Sequence, residues 1–360
     1  MALMIWNPDS SPVASRGAEI REAIGQLKQQ QARGLRWMLQ HIAADGEPAG
    51  AMRFNSYYRV PWTLAICGER EAAASVLSWV ERHALDANGN LRAGAAERPN
   101  APYSLAQLAI GAAHLERYDT ARRLMDVLAG YQDPLSGGCY TERPGQRLTF
   151  RQDVLVTCQL GLAALTTGRR TVADAAYQWL ERLLQAQPDL PARLFTGWGP
   201  QGLLEDRTHE AAWAAVTDFH EPRQQFYNPG MAAAFAGRYH MATGDAGALE
   251  VARSFLKLSA QGDAMQWDGQ TVQICKFGWG AAVLLEATQE PLFLDYALRM
   301  VRWFGDMQGI GGNWHASPFQ VPQPTPADDM PKTAEHTLHV TTLLTALSSV
   351  QHGGRTGPPD

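Results

Sequence analysis

The sequence predicts an all-α fold, an (α/α)6 toroid, in which six inner and six outer helices alternate as six helical hairpins in one domain over residues 1–360. Three observations predict it. Apolar segments of two kinds alternate along the chain, one apolar nearly all round and rich in Ala and Gly, the other amphipathic with a polar face. Short polar turns join them in pairs. The last segment is of the buried kind and the first is amphipathic, so the two ends complete each other, whereas an open solenoid would finish in polar caps.

Taken in order, the first outer helix covers 18–44, where "AEIREAIGQLKQQQARGLRWMLQHIAA" shows apolar residues at helical spacing. "YYRVPWTLAI" is the first inner segment, and the turn "CGERE" leads to the outer "SVLSWVERHALDANGNL". The inner "YSLAQLAIGAAHL", the turn "LERYD" and the outer "RRLMDVLAGYQDPLSGGCY" repeat the scheme. "DVLVTCQLGLAAL", "TGRRT" and "YQWLERLLQAQPDL" follow, then "GMAAAFAGRYHMA", "TGDAG" and "RSFLKLSAQGDAMQW", then "CKFGWGAAVLLEA", "ATQEP" and "MVRWFGDMQGIGGNW". "AEHTLHVTTLLTALSS" closes the series as the sixth buried helix. Flexible ends are expected at 1–15 and 353–360, and long loops at 188–225 and 315–331 on the binding face.

Composition excludes several function classes. A net charge of −5 with no basic block leaves no electrostatic footprint for nucleic acid or an anionic membrane. No apolar run approaches the ~18 residues of a membrane span, and the N-terminal stretch lacks a secretory pattern, so a cytoplasmic protein is expected. Cys67, Cys139, Cys158 and Cys275 are far apart and form no CxxC pair, as expected of reduced thiols rather than disulfides or structural zinc.

The segment "MQGIGGNW", with Gln308, Gly312 and Trp314, resembles the glutamine-tryptophan repeat of terpene cyclases and their prenyltransferase-like toroid relatives, and "YQDPLSGGCY" is similar to it in weaker form. The resemblance implies a structural role, tying outer helices together. Locally, the glutamine is expected to bond helix-end carbonyls while Gly-Gly allows a left-handed turn. The DxDD acid of the class II cyclases is absent. "ADDMP", with Asp328 and Asp329, comes nearest.

In such a ring all inner helices run the same way, and their N-termini, each partially positive, converge on one mouth. The residues at those helix starts are Tyr, amide and isolated charges rather than ordinary loop composition, the pattern of a small-molecule site. Tyr57, Tyr58, Arg59, Tyr103, Arg151, Asn228, Lys276, Lys332 and His220 are the expected substrate-binding residues, the cations favouring an anionic ligand. Glu335, His336, Asp153 and Tyr227 are the expected acid–base groups, with Glu335 and His336 in the first turn of a last helix that begins at Lys332 and Thr333. The competing reading is that the cations pair with Asp153 and Glu335 and only hold the ring shut, with His336 a core histidine. No phosphate loop, dinucleotide fingerprint or nucleophile elbow is present, and no metal or cofactor is expected.

The function expected is a cyclase, isomerase or lyase acting on a small, partly apolar anionic molecule, with a place in secondary metabolism. The alternatives are a glycoside hydrolase or polysaccharide lyase of six-hairpin type, and a non-catalytic toroid that binds a peptide or protein.

Overall fold

In the computed structural model, the described residues are 11–51, 56–92, 101–147, 149–205, 215–262, 264–267, 273–318 and 320–353. Twelve helices are named among them: α1 (Gly17–Gln40), α2 (Val60–Ile66), α3 (Arg70–His83), α4 (Ala101–His114), α5 (Tyr118–Ala129), α6 (Val154–Thr166), α7 (Arg170–Gln185), α8 (Tyr227–Thr243), α9 (Ala246–Gln261), α10 (Cys275–Thr288), α11 (Pro291–Met307) and α12 (Pro326–Gly353). Even-numbered helices form the inner ring. Each packs on the next, and α12 packs on α2, so the ring is closed; α1 covers α12 and touches α11 from outside.

Burial follows the two sequence patterns. Every residue of α6 from Val154 to Ala164 is buried, because both of its faces meet other helices. In α5 the buried residues are Thr120, Ala121, Leu124, Met125 and Leu128, a single stripe at helical spacing. Of the two expected flexible ends, 1–10 and 354–360 lie outside the described residues, while Val13–Arg16 forms a 3-10 turn with Val13 buried.

The turns after outer helices are alike. Isolated β-bridges close them at Ile42–Pro48, Leu85–Leu91, Gln132–Cys139 and Gln308–Trp314. The first of these was not legible as a copy, because its sequence has neither the glutamine nor the aromatic. The glutamines tie outer helices together, as the resemblance implies, but do not cap the end of their own helix. Gln308 Nε2 donates to the carbonyl of Gln30 on α1 (2.9 Å) as well as to Gly312 (2.8 Å), and Gln132 Nε2 donates to Val172 on α7 (3.0 Å) and to Gly137 (2.9 Å). Each therefore bridges to the next outer helix instead of capping its own. Trp314 is fully buried, its indole donating to the carbonyl of Phe304 (2.9 Å). Gly312 has φ +96°, and a Cβ there would stand 2.6 Å from the carbonyl oxygen of Arg33, so only glycine lets this turn rest on α1.

The α7–α8 connection is not a plain loop. It holds β2 (Arg193–Phe195), β3 (Gly197–Gly199), β4 (Gly202–Leu203) and β5 (Val216–Asp218), and β1 (Gln152–Asp153) precedes α6. β2 pairs with β5, and β3 pairs antiparallel with both β4 and β1, setting Asp153 opposite Gly197. The insertion is thereby tied to the N-terminal end of α6. A second correction concerns α12, which starts at Pro326 rather than at Lys332 and Thr333. Proline fits a first helical position, Asp328 and Asp329 suit a first turn, and Asp328 accepts from the backbone and hydroxyl of Thr325 (2.9 and 2.6 Å). Glu335 and His336 accordingly lie two turns in, beyond most of the helix-terminus effect.

Candidate active site at the N-terminal mouth

Arg59, just ahead of α2, is buried. Its guanidinium lies 4.8 Å from the Tyr58 ring centroid and 5.4 Å from that of Tyr103, and donates to the Tyr103 hydroxyl (3.3 Å) and the Pro331 carbonyl (3.3 Å). It also pairs with Glu335 at 3.1 Å. Lys276, at the start of α10, donates to the same Glu335 oxygen and stands 5.0 Å from the Tyr227 ring centroid. Lys332 is 3.9 Å from the other Glu335 oxygen. Three cations thus surround one carboxylate, and the cluster carries excess positive charge in a place shielded from water.

The electrostatics follow from that count. Burial pushes the Glu335 carboxyl up, but Arg59, Lys276 and Lys332 overcome it and hold the group well below the usual carboxylate range. Burial would discharge Lys276, yet Glu335 outweighs it and raises the amine. Lys332, less well compensated, is lowered by burial. Burial lifts the Tyr58 phenol to about 12.

Asp153 is the other carboxyl here. It is the N-cap of α6, accepting from the Val156 amide (3.1 Å), and Arg151 lies 3.6 Å away. Burial raises its pKa in spite of Arg151. Tyr227 is close enough for the Asp153 charge to add to burial in raising its phenol. Asp153 is thus the carboxyl at this mouth that burial moves upward, as Lys332 is the amine that burial moves downward.

The structure brings together Tyr58, Arg59, Tyr103, Tyr227, Lys276, Lys332 and Glu335, with Arg151 and Asp153 beside Tyr227. Other residues sit elsewhere. The Tyr57 ring packs against Trp79 of outer helix α3, with centroids 6.1 Å apart. Asn228 is buried and donates to Thr217 (3.4 Å) and Gln225 (3.3 Å), anchoring the insertion. His220 is exposed on the turn after β5. His336 lies in an aromatic box of Trp303, Phe304 and Trp314, centroids 5.8, 5.4 and 5.7 Å away, between α12 and the outer wall. Burial drives its imidazole well below the ordinary value, so it is neutral. Sequence reading gave no role to Trp62 and Trp279, whose rings meet at 5.9 Å. Their spacing of three from Arg59 and Lys276 was the available signal.

His339, one turn beyond Glu335, is also buried and packs on Trp279 at 5.3 Å, with its pKa lowered to about 3 by burial. The depressed value makes the unfolded chain the better proton acceptor, so the associated stability is complete above the unfolded pKa near 6.5 and is lost as pH falls toward 3. His339 alone should remove about 1.4 kcal/mol of unfolding free energy per pH unit below ~6.5, and His336 adds a loss of the same sign. Urea unfolding between about pH 7.5 and 5 measures this, and His339→Phe should flatten the acid limb by its share.

Cys275, Glu335 and His336 offer ligand atoms within 4.8 Å of one another. The donor set does not suit a metal cation. Burial raises the thiol to about 11, and the carboxylate is already held by two cations within bonding distance.

At the opposite end of the lumen is a cavity of about 610 Å³, lined by the C-terminal halves of inner helices, among them Ile66, Ile110, His114, Leu162 and Met241, and reached from above by Trp62 and Trp279. Its threonines are spent on their own helices: Thr342 and Thr345 donate to Leu338 (2.9 Å) and Thr341 (3.0 Å). Apolar side chains predominate in its lining, with His114 and Arg238 as the polar exceptions beside the threonines.

No protein-family model matches the chain, and no curated protein matches it. Solved structures do. A D-mannose isomerase superposes with a TM-score of 0.64 at 11% identity, covering 89% of this chain and 97% of its own. An inactive variant of the α-1,6-mannanase of Salegentibacter sp. HEL1_6, in complex with α-1,6-mannotetrose, gives 0.62 at 12% identity over 90% and 99%. A type II terpene cyclase from Scytonema gives 0.55 at 12% identity over 91% and 99%. The likeness establishes the α/α-toroid fold.

Proposed function

We propose that the N-terminal mouth is the active site of a cofactor-independent isomerase, lyase or cyclase that moves protons on a small molecule bearing an anionic group. The observation that carries this reading is the buried Arg59–Glu335–Lys276 cluster, whose cations outnumber its carboxylate, next to Asp153, whose carboxyl pKa burial raises. Arg59 and Lys276 hold the anion of the substrate. Glu335 stays ionised and fixes the two cations; it is a positioning residue. Asp153 and the protonated phenol of Tyr227 exchange protons with the reacting carbon or oxygen. His336, facing the outer wall, has no part.

The glycosidase alternative has less support. The mannanase above is inactive when two adjacent aspartates are replaced, and the adjacent pair in this chain is Asp328–Asp329. Asp329 is occupied by Asn313 (2.8 Å), His315 (2.9 Å) and the Ala316 amide (3.1 Å), and Asp328 caps α12. Both serve the loop before α12.

The first test is anion binding. Calorimetric titration with inorganic phosphate should show saturable binding that Arg59→Gln and Lys276→Met each weaken about 10-fold, or ~1.4 kcal/mol. Equal affinity in wild type and both variants would remove the cations from the site.

A further inference from the structure

Between the charged mouth and the apolar cavity lies a polar layer that the proposed chemistry leaves unused. Gln107 follows Tyr103 by one turn on α4 and precedes the cavity-lining Ile110 and His114 by one and two turns, so helical spacing sets it on the same face of α4 as these residues, between the two ends. Gln159 stands in the same relation to Leu162 and Thr166 on α6. His339 lies one turn below Glu335 and packs on Trp279, which meets Trp62 edge-on. Helical spacing thus sets three polar side chains of three inner helices between mouth and cavity, with Trp279 against His339 and Trp62 reaching down to stack on His114 at 6.5 Å.

These polar groups are buried without hydrogen-bond partners. Gln107 is 1%, Gln159 0% and His339 1% exposed, and Gln107 Oε1, both amide atoms of Gln159 and both ring nitrogens of His339 are unpaired. Buried side-chain polar atoms are paired in the great majority of cases. Unlike the unpaired ring nitrogens of His336, which lie in an aromatic box toward the outer wall, these five atoms belong to inner-helix faces that continue into the residues lining the cavity or the charged mouth, where a ligand can supply the missing partners.

We infer that this layer reads hydroxyl groups, and that the substrate is a polyhydroxylated acid, such as a sugar phosphate or a sugar carboxylate. The inference rests on the reading of Arg59 and Lys276 as the anion holders and adds the body of the molecule. A carboxamide and a neutral imidazole each both donate and accept, as a hydroxyl does. A hydrocarbon body would leave all five atoms unpaired, whereas a sugar ring satisfies them with its hydroxyls and lays its C–H face on Trp62 and Trp279. This replaces the partly apolar body expected from the sequence. The cavity at the far end lies deeper than the layer.

The test compares an anion with a hydrocarbon body against anions with polyhydroxylated ones. Full-length protein is titrated with hexyl phosphate and with a panel of hexose 6-phosphates and hexuronic acids, in wild type, Gln107→Leu and Gln159→Leu. At least one polyol anion should bind about 100-fold more tightly than hexyl phosphate, because a site made for hydroxyls rejects analogues without them. Each leucine variant should erase most of that preference while binding hexyl phosphate as before. Melting temperature separates reading from structure: removal of an unpaired buried amide should leave it unchanged or higher, while loss of a structural hydrogen bond would lower it. Hexyl phosphate binding as tightly as every polyol anion would overturn the inference and leave the anion site standing. A preference that survives both leucine variants, or a lowered melting temperature in both, would overturn it as well. Binding of neither class would take the anion site down with it.

Discussion

Asp153→Asn is expected to reduce turnover about 10²- to 10⁴-fold, the usual worth of a positioned proton-transfer group. Substrate affinity should change little. Asparagine is as good an N-cap as aspartate and can still accept from the Val156 amide, so α6 keeps its start. The raised pKa of Asp153 means that its ionised form is held at a cost, and the variant should melt at the same temperature or higher. The same raised carboxyl should set the acid-side pKa of kcat/KM, and that limb should vanish in the variant. Arg59→Gln should behave differently, raising KM with a smaller effect on kcat, since an anion holder grips substrate and transition state alike. Wild-type turnover in Asp153→Asn would withdraw the assignment.

Glu335→Gln should cost about 3–5 kcal/mol of unfolding free energy, because it strips the shared partner from two buried cations. Arg59 and Lys276 would then face each other uncompensated, and Lys276, whose amine is held protonated by Glu335, would lose its proton more readily. Two features identify the cause. The loss should shrink at alkaline pH, where Lys276 in the variant becomes neutral, and the double variant Glu335→Gln, Lys276→Met should be more stable than the single one. Urea unfolding gives each value. A single variant within about 1 kcal/mol of wild type would show that the cluster is solvated and not the dry, positively biased site described above.

The hairpin rhythm was legible because its signal is physical. A helix enclosed on both faces must be apolar all round, and one with an outer face must not, so α6 and α5 announce their layers from residue order alone. The charged mouth was legible for a related reason: Arg59, Lys276 and Glu335 interrupt otherwise apolar inner segments, and burying such groups requires partners. What failed was direction. His336 and Glu335 are neighbours in sequence, but one residue turns a helix by about 100°, which sends the carboxylate inward and the imidazole into the Trp303, Phe304 and Trp314 box. Tyr57 and Tyr58 diverge likewise. Gln107 and Gln159 passed unnoticed because a single amide within an apolar helix resembles tolerated core polarity until its missing partners are seen. The strands of the α7–α8 connection are two or three residues long, too short for any alternation to register.

The contact of α12 with α2, and of the Gly312 turn with α1, also changes how the fold comes apart. In an open stack of hairpins the terminal unit has one neighbour, so it frays first and melting spreads inward. Here every hairpin has two. Loosening any one of them sacrifices two interfaces together and leaves a gap whose flanks have lost their cover. Partial unfolding is therefore penalised all around the circumference, and the groups gathered from α2, α4, α6, α8, α10 and α12 at the mouth keep their mutual spacing for as long as the ring stays closed.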